Sequence, residues 1–284
     1  MKTEEAAQRA RTPAHIRAVG LSKSYVQRAP FSHKKFAIDA LLDVQLEVSP
    51  ATLTALVGES GSGKSTLARC LAMLEKPDCG EIWFEGKEIS RSGSWELAWL
   101  RPKIQMIHQD SAGALNPRFT AAQVIAEPLE IQRRESGPKL RSRVCELMEE
   151  VGLPANWADR RPLELSGGQR QRLAIARAIA LKPAFLILDE SLSGLDLSTQ
   201  AQILNLLLDL QKAHSLTYLL ISHDLSLVEQ VADFVAVMHQ GRMVEHGAGQ
   251  DIFGSPRHAH TRELLGSVRL VESAFRAAQA GGQQ

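Results

Sequence analysis

One glycine-rich stretch of this 284-residue chain has the residue types needed to hold a chain of phosphates. It follows the apolar run LTALV and matches the pattern G-x-x-x-x-G-K-[ST], in which glycines let the backbone wrap phosphates and successive amides point inward. Lys64 is expected to reach the β- and γ-phosphates, and the Ser65 hydroxyl is expected to bind Mg²⁺. The predicted loop comprises Gly58, Glu59, Ser60, Gly61, Ser62, Gly63, Lys64 and Ser65, with Thr66 in the helix that follows.

Two adjacent carboxylates follow a second apolar run, FLILD. Because ligands collect outside the carboxyl ends of strands in open α/β sheets, Asp189 is expected to hold Mg²⁺ directly or through water. Glu190 is then suited to deprotonate the water that attacks a γ-phosphate. A strand running into a solvated turn would have the same composition, so this prediction depends on the phosphate loop.

The stretch LSGGQ is a second anion-binding pattern, and an Ala/Leu/Ile-rich helical sequence follows it. A serine and two glycines before a helix leave amides at the positive helix end. The chain thus has two phosphate-facing loops but only one that carries a lysine, which favours two chains packed head to tail, each closing the other's ATP. The residues concerned are Ser166, Gly167, Gly168 and Gln169.

Short apolar runs alternate with helical patterns along the chain, which is typical of an α/β domain with a largely buried parallel sheet. Strands are predicted at VQLEV, LTALVG, FLILD and TYLLIS, and helices over Lys64–Glu75, Leu197–Lys212 and Leu225–Val231. Helix-forming sequence dominates residues 110–182, which predicts an inserted helical subdomain.

Composition excludes several classes of protein. The formal net charge of +1 argues against binding of nucleic acid by bulk charge. Three cysteines without Cys-x-x-Cys spacing argue against a disulfide framework or a zinc site built from them. No run reaches the ~18 apolar residues of a transmembrane helix, so any role at a membrane requires another polypeptide to supply the span. The first dozen residues and the tail from Ala277 are predicted to be frayed or disordered.

In these motifs and their order the sequence resembles the ATP-binding subunits of ABC transporters, from Ile16 to about Leu265. The resemblance implies an α/β fold: a P-loop NTPase (RecA-like) core with an antiparallel β subdomain and an inserted α-helical subdomain. It implies an ABC ATP-binding domain over residues 14–254, with the helical subdomain at about 110–182, and a C-terminal extension over 255–284.

The resemblance also implies roles for four residues outside the motifs above. Gln109 occupies the Q-loop position, which contacts Mg²⁺ or water and senses the membrane partner. Asp196 lies in the D-loop, which crosses the dimer interface, and His223 matches the switch histidine that contacts the γ-phosphate. Tyr25 matches the aromatic residue that stacks on adenine, although a buried strand-end tyrosine would look the same.

Three residues depart from the family pattern. Ser191 stands where proline is usual, Gly194 replaces the usual alanine, and His108 occupies a position where an aromatic residue is common. None of them removes a phosphate, metal or water contact, so a site competent for hydrolysis is expected.

Two local stretches narrow the family. Residues 115–118 (LNPR) and 255–265 (SPRHAHTRELL) resemble elements of peptide and nickel importers, and the long insert over Val26–Asp39 suits the same subfamily. A turn, a surface helix and a solvated basic loop are the structural alternatives for these three stretches. The cargo is assigned by analogy alone.

The resemblance implies an ATPase that uses ATP and Mg²⁺ at the cytoplasmic face of the plasma (inner) membrane. Its implied partners are a second ATP-binding subunit, identical or paralogous, transmembrane permease subunits and an extracytoplasmic substrate-binding protein, with no nucleic acid. Three alternatives stay open: a transporter for another cargo, an ABC ATPase outside transport, and a nucleotide-binding subunit that no longer hydrolyses.

Overall fold

The structure is a computed structural model that describes residues 15–28, 35–93, 95–108, 113–132 and 134–266. The chain divides into two compact units. The first unit consists of Met1–Arg91 with Leu220–Gln284, and the second consists of Ser92–Leu219. The chain ends that the sequence predicts to be disordered lie outside the described residues.

Strands and helices alternate along the described residues, as the α/β prediction requires. In chain order the elements are β1 (Ile16–Arg28), β2 (Lys35–Val48), β3 (Leu53–Val57), α1 (Lys64–Leu71), β4 (Cys79–Phe84), β5 (Lys87–Glu88), β6 (Ile104–Ile107), α2 (Ala121–Ile131), α3 (Gly137–Glu150), α4 (Gly167–Ile179), β7 (Phe185–Asp189), α5 (Leu197–His214), β8 (Thr217–Ile221), α6 (Leu225–Val231), β9 (Phe234–His239), β10 (Arg242–Ala248), α7 (Gly249–Gly254) and α8 over 259–266.

An antiparallel sheet in the first unit has the strand order β2-β1-β4-β5. In β2, Val44, Leu46 and Val48 are buried whereas Glu47 is exposed, so the predicted period-two alternation of VQLEV is confirmed. The described residues of the insert at 26–39 do not form a solvated loop. The strands extend into the insert, and Val26 pairs with Ala37 across the hairpin, because two long antiparallel strands satisfy each other's backbone groups. Residues 29–34 lie outside the described part of the chain.

The strands nearest the predicted motifs belong to a second sheet. In the first unit its order is β10-β9-β3-β8, with β3 parallel to β9, and in the second unit it is β8-β7-β6, with β6 parallel to β7. Strand β8 contributes to both units because their division falls between Leu219 and Leu220. Strands β3, β7 and β8 are buried along their whole length, which explains their continuous apolar sequences. Tyr218 lies within β8, and its hydroxyl donates to the carbonyl of Leu207.

Helices fill the second unit between β6 and β7. Helix α2 begins with a capping box, in which the Thr120 hydroxyl accepts from the Gln123 amide and the Gln123 side chain accepts from the Thr120 amide. Thr120 is therefore the N-cap and lies just outside the helix. In the described part of the chain, no helix combines the length and apolar character that a membrane span requires.

Helix α1 ends earlier than the predicted boundary at Glu75. The helix stops at Leu71, and Met73 has a positive φ of 52°. The amides of Leu74 and Glu75 both donate to the Arg69 carbonyl, so the chain turns back on the helix end. The apolar sequence CLAML conceals this turn because composition alone does not report a left-handed residue.

Candidate nucleotide-binding site

Glycines at two positions of the predicted phosphate loop are required by close backbone contacts. A Cβ on Gly58 would lie 2.1 Å from the carbonyl oxygen of Met238, and a Cβ on Gly63 would lie 2.3 Å from that of Ala40. Both glycines have positive φ, 145° and 103° respectively. The loop therefore packs directly on β9 and β2, and no other residue fits at either position.

The lysine of the loop is buried against its own backbone. Lys64 is only 6% exposed, and its Nζ donates to the carbonyls of Gly58 (2.9 Å) and Glu59 (2.7 Å). Helix α1 begins here on Gly63, with no side chain capping its first amides. A helix N-terminus without a capping side chain, next to a lysine, is suited to an anion such as phosphate.

Tyr25 on β1 belongs to a polar network that reaches the first turn of α1, next to the phosphate loop. Its hydroxyl donates to the Glu75 carboxylate, which also accepts from Arg69 Nε at 2.7 Å. Arg69 Nη2 lies 3.4 Å from both the Tyr25 hydroxyl and the Thr66 hydroxyl. Arg69 therefore connects the tyrosine to the first turn of α1, and the predicted stacking of adenine on the ring stays a prediction.

His223 is exposed in the turn that follows β8. The Ser222 amide lies 3.4 Å from the Leu56 carbonyl on β3, two residues before the phosphate loop. The Ser222 hydroxyl accepts from the Asp224 amide, and Asp224 caps α6 by accepting from the Leu227 amide at 3.0 Å. These bonds hold the backbone on both sides of the histidine, so the first unit brings His223 to the strand end that carries the loop.

Asp189 and Glu190 lie at the carboxyl end of β7 in the second unit. Asp189 is 7% exposed, and Glu190 is half-buried with a positive φ of 46°. The Ser193 amide and hydroxyl both donate to the Glu190 carbonyl, at 3.1 and 2.7 Å. A left-handed non-glycine residue needs such support, and it is often found where a side chain must point in one direction.

The LSGGQ stretch forms the start of α4. The Ser166 hydroxyl accepts from the Gln169 amide, and the Gln169 side chain accepts from the Ser166 amide, which makes a capping box. A Cβ on Gly168 would lie 2.5 Å from Thr199 Cγ2, and one on Gly167 would lie 3.3 Å from Leu195 Cδ2. The second unit therefore packs the start of α4 against the first turn of α5 and the segment just before it.

Asp196 caps α5 in that neighbouring segment. Its Oδ1 accepts from the Thr199 amide at 2.9 Å, and its Oδ2 accepts from the Thr199 hydroxyl at 2.7 Å. The amide bond and then the hydroxyl bond hold the pKa of Asp196 below its ordinary value. The predicted D-loop aspartate thus has a structural task as a helix cap.

Comparison of the sequence with protein-family models identifies the family. The ABC transporter family model matches residues 41–193, which include the phosphate loop, the LSGGQ helix and the Asp-Glu strand end. The chain belongs to the ABC transporter family. The dipeptide transport ATP-binding protein DppF of Haemophilus influenzae is 43% identical over 253 residues, which are 89% of this ABC chain and 77% of that protein.

A second relative and a solved structure agree with this assignment. Dipeptide transport ATP-binding protein DppF of Escherichia coli K12 is 42% identical over 254 residues, 89% of this chain and 76% of its own. The dimeric ATP-binding cassette MJ0796, solved in a post-hydrolysis state with ADP and Pi, matches with a TM-score of 0.72. It is 28% identical over 82% of this chain and 98% of its own. The predicted fold class, peptide-importer resemblance and ATPase class are confirmed.

The structure explains one of the departures from the ABC pattern directly. Gly194 has a positive φ of 81° and open space around it, so glycine suits a backbone in which alanine would be strained. The Ser191 hydroxyl is buried and has no hydrogen-bond partner among the described residues. His108 is exposed directly after β6.

One predicted site residue has no described structure, and two residues near Tyr25 were not predicted. Gln109, the predicted Q-loop residue, lies outside the described residues. Arg69 and Glu75, which hold the Tyr25 hydroxyl, were not predicted. No motif marks them, because their role arises from β1 packing beside α1.

Proposed function

We propose that this ABC chain is the ATP-hydrolysing subunit of a peptide importer. The observation that carries the cargo class is the 42–43% identity to two dipeptide transport ATP-binding proteins over 89% of the chain. The resemblance of the SPRHAHTRELL stretch to an element of peptide importers supports it. Glu245 on β10 accepts from the amides of Arg257 (2.8 Å) and His258 (3.0 Å), which fixes the start of that stretch.

The nucleotide is bound chiefly by backbone groups. The amides of the loop at 58–65 and the N-terminal turn of α1 surround the phosphates, and Lys64 Nζ turns from the carbonyls of Gly58 and Glu59 to the β- and γ-oxygens. Arg69 connects Tyr25 to the first turn of α1, next to the phosphate loop, so the Tyr25 ring is suited to stack on the adenine of the same nucleotide. The fixed hydroxyl restricts the ring to few orientations, which lowers the entropy lost on stacking.

The donor set of the chain fits Mg²⁺. Asp189 offers a carboxylate at the end of a buried strand, and Ser65 offers a hydroxyl in the first turn of α1, both hard oxygen donors. We assign Asp189, Ser65 and Gln109 as the residues that hold the ion. When bound, Mg²⁺ neutralises charge on the β- and γ-phosphates.

Hydrolysis depends on the carboxylate and imidazole that flank the strand ends. Glu190 accepts the proton of the attacking water, and its supported left-handed backbone directs the carboxylate. His223 donates a hydrogen bond to the γ-phosphate from a turn with fixed flanks. Gln109 orients the water and reports the state of the site to the membrane partner.

A second ATP-binding subunit completes the site. Leu163 is 76% exposed just before the LSGGQ helix, and Leu197 is 80% exposed at the start of α5. Ser166 and Asp196 between them are also exposed. Two exposed leucines beside an anion-binding helix start are suited to an interface that closes over another subunit's nucleotide, as in the ATP-sandwich arrangement.

The remaining partners follow from the importer assignment. Transmembrane permease subunits hold the chain at the cytoplasmic face of the plasma membrane, and an extracytoplasmic substrate-binding protein delivers the peptide. Closure of the two ATP-binding subunits on ATP and their separation after hydrolysis bias the permease between two states.

Two measurements on the assembled complex test this proposal. The chain is co-expressed with permease and ATP-binding subunits of the peptide-importer type from its own genome, purified through the permease, and reconstituted with a substrate-binding protein in vesicles. ATP-dependent uptake of a labelled dipeptide is expected, and uptake of Ni²⁺ is not. Uptake of Ni²⁺ without uptake of the dipeptide would contradict the assignment of peptides as the cargo. ATPase activity without permease association would favour an ABC ATPase outside transport.

A further inference from the structure

Three side chains of types that can ligate a metal ion lie close together beside the phosphate loop. Glu59 belongs to the loop, His239 is the last residue of β9, and His260 lies in the first turn of α8. One ligand atom from each lies within 4.8 Å of the others, and Glu59 Oε2 is 4.0 Å from His239 Nδ1. We call these residues the Glu59 cluster, and all three belong to the first unit.

One ring nitrogen of each imidazole in the cluster is buried without the partner that a buried imidazole nitrogen normally has, although the His239 side chain as a whole is 29% exposed. His260 is 7% exposed, and the ring centres of His239 and His260 are 3.8 Å apart. His239 Nδ1 and His260 Nε2 are buried and have no hydrogen-bond partner among the described residues. Buried polar atoms are rarely left in this condition, and a metal ion is one group that satisfies imidazole nitrogens.

The backbone holds the loop and the end of β9 together. The Gly241 amide donates to the Ser62 carbonyl at 3.0 Å, and the Gly241 carbonyl accepts from the Leu42 amide at 2.8 Å. The Met238 carbonyl packs against Gly58 so closely that a Cβ would not fit. Glu59 and His239 therefore project from one fixed framework.

A separate set of bonds places His260. The Glu245 carboxylate accepts from the amides of Arg257 and His258, and Arg262 Nη1 donates to the Arg257 carbonyl at 2.7 Å. His258 Nδ1 accepts from the His260 amide at 3.2 Å. The start of α8 is thus folded back onto β10, which positions His260 against His239.

We propose that the Glu59 cluster binds a divalent transition-metal ion of the Zn²⁺ type. Two imidazoles and one carboxylate form a set of ligands typical of zinc sites that keep one position open. Tetrahedral ligands at about 2.0–2.1 Å from zinc lie roughly 3.3 Å apart, so the cluster must contract on binding. The Glu59 side chain is 62% exposed, so it can swing inward to provide this contraction.

The site has a consequence for the nucleotide. Lys64 Nζ donates a hydrogen bond to the Glu59 backbone carbonyl at 2.7 Å, so the Glu59 side chain and the phosphate-binding lysine belong to one short loop. A metal ion held there joins the phosphate loop to the C-terminal helix α8. Metal and nucleotide then influence each other's affinity by the same factor.

The test is zinc binding to the tag-free full chain without nucleotide, measured by calorimetry above the ordinary histidine pKa of about 6.5. One equivalent of Zn²⁺ is expected, with affinity at least tenfold weaker in Glu59→Gln, His239→Gln and His260→Gln. His258→Asn is the matched control, because asparagine can still accept from the His260 amide while the imidazole is lost. Its affinity for Zn²⁺ is expected to equal that of the wild type.

Two further measurements make the result decisive. Co²⁺ in the site is expected to show the intense visible bands of low-coordinate cobalt, and Zn²⁺ is expected to raise the melting temperature of the wild type but not of Glu59→Gln. Circular dichroism checks that each variant is folded. If a histidine variant does not fold, the zinc affinity of Glu59→Gln alone tests the proposal, because this residue is exposed. No saturable binding, or equal affinity in Glu59→Gln and wild type, would overturn the proposal and leave a stacked imidazole pair.

Discussion

The glycine at position 168 offers a sharp test of how the start of α4 packs. A Cβ on this residue would lie 2.5 Å from Thr199 Cγ2, well inside van der Waals contact. Thr199 is restrained from rotating away, since its hydroxyl donates to Asp196 Oδ2 at 2.7 Å and its amide donates to Oδ1. Gly168→Ala must therefore displace the helix or break a bond of the α5 cap.

Two opposing terms set the magnitude of this change. Inserting a methyl group into a packed contact costs about 1–3 kcal/mol, whereas alanine is favoured over glycine in a helix by up to about 1 kcal/mol. We expect Gly168→Ala to lower the free energy of unfolding by about 1–2 kcal/mol. Gly167→Ala is the matched neighbour, and its Cβ meets only the flexible end of Leu195 at 3.3 Å, so its change should stay within about 0.5 kcal/mol.

Urea denaturation followed by circular dichroism measures these differences, and a second substitution identifies their cause. Thr199→Ser removes the clashing methyl group but keeps the hydroxyl that donates to Asp196. The double variant Gly168→Ala/Thr199→Ser should therefore recover most of the lost stability. A fully stable Gly168→Ala, or a double variant no better than the single one, would refute the packing argument.

Four other outcomes are expected. Glu190→Gln should bind ATP but release phosphate roughly 10²–10⁴-fold more slowly, and undiminished turnover would remove Glu190 from the role of base. Lys64→Ala should weaken ATP binding measured by calorimetry, because it deletes a charge directed at the terminal phosphates, and an unchanged affinity would contradict this role. Ser191→Ala should raise the free energy of unfolding by about 1 kcal/mol, since it removes a buried hydroxyl with no hydrogen-bond partner among the described residues. A lower free energy of unfolding would indicate that this hydroxyl does have a partner. Because the pKa of Asp196 is lowered in the folded chain, its cap stabilises the fold above the ordinary carboxyl pKa of about 3.9, and this contribution is lost as the pH falls through the folded pKa. Asparagine caps a helix without titrating, so the urea midpoint of Asp196→Asn should fall less than that of the wild type between about pH 5 and pH 3. Equal falls in the two midpoints would argue against the cap.

The buried strands could be predicted from sequence almost to the residue. Strand β7 has the predicted bounds, and β3 and β8 each end one residue before the prediction. These strands are covered on both faces, so apolar residues run without interruption and turn residues mark the ends. Helix α6, with the predicted bounds Leu225–Val231, also has a clear start because Asp224 caps it.

Contacts between distant segments could not be predicted in the same way. The early end of α1 at Leu71 and the long pairing of β1 with β2 depend on backbone conformations that tertiary contacts select. The family motifs predict which residues face the nucleotide, but they do not indicate how those residues are held in place. The Arg69 bridge between Tyr25 and Thr66 becomes visible only once β1 is placed beside α1.

The different settings of the chain's two tyrosines make Tyr25 a selective chemical handle. Tyr218 is fully buried, and burial raises the pKa of its phenol far above the ordinary value, so reagents that attack phenolate will not modify it in the folded chain. Tyr25 is half-buried on β1, and its hydroxyl belongs to a network that ends at Thr66 in the first turn of α1, next to the phosphate loop. Mild nitration should therefore place one coloured group at this residue, and its absorbance would follow nucleotide exchange without any engineered label.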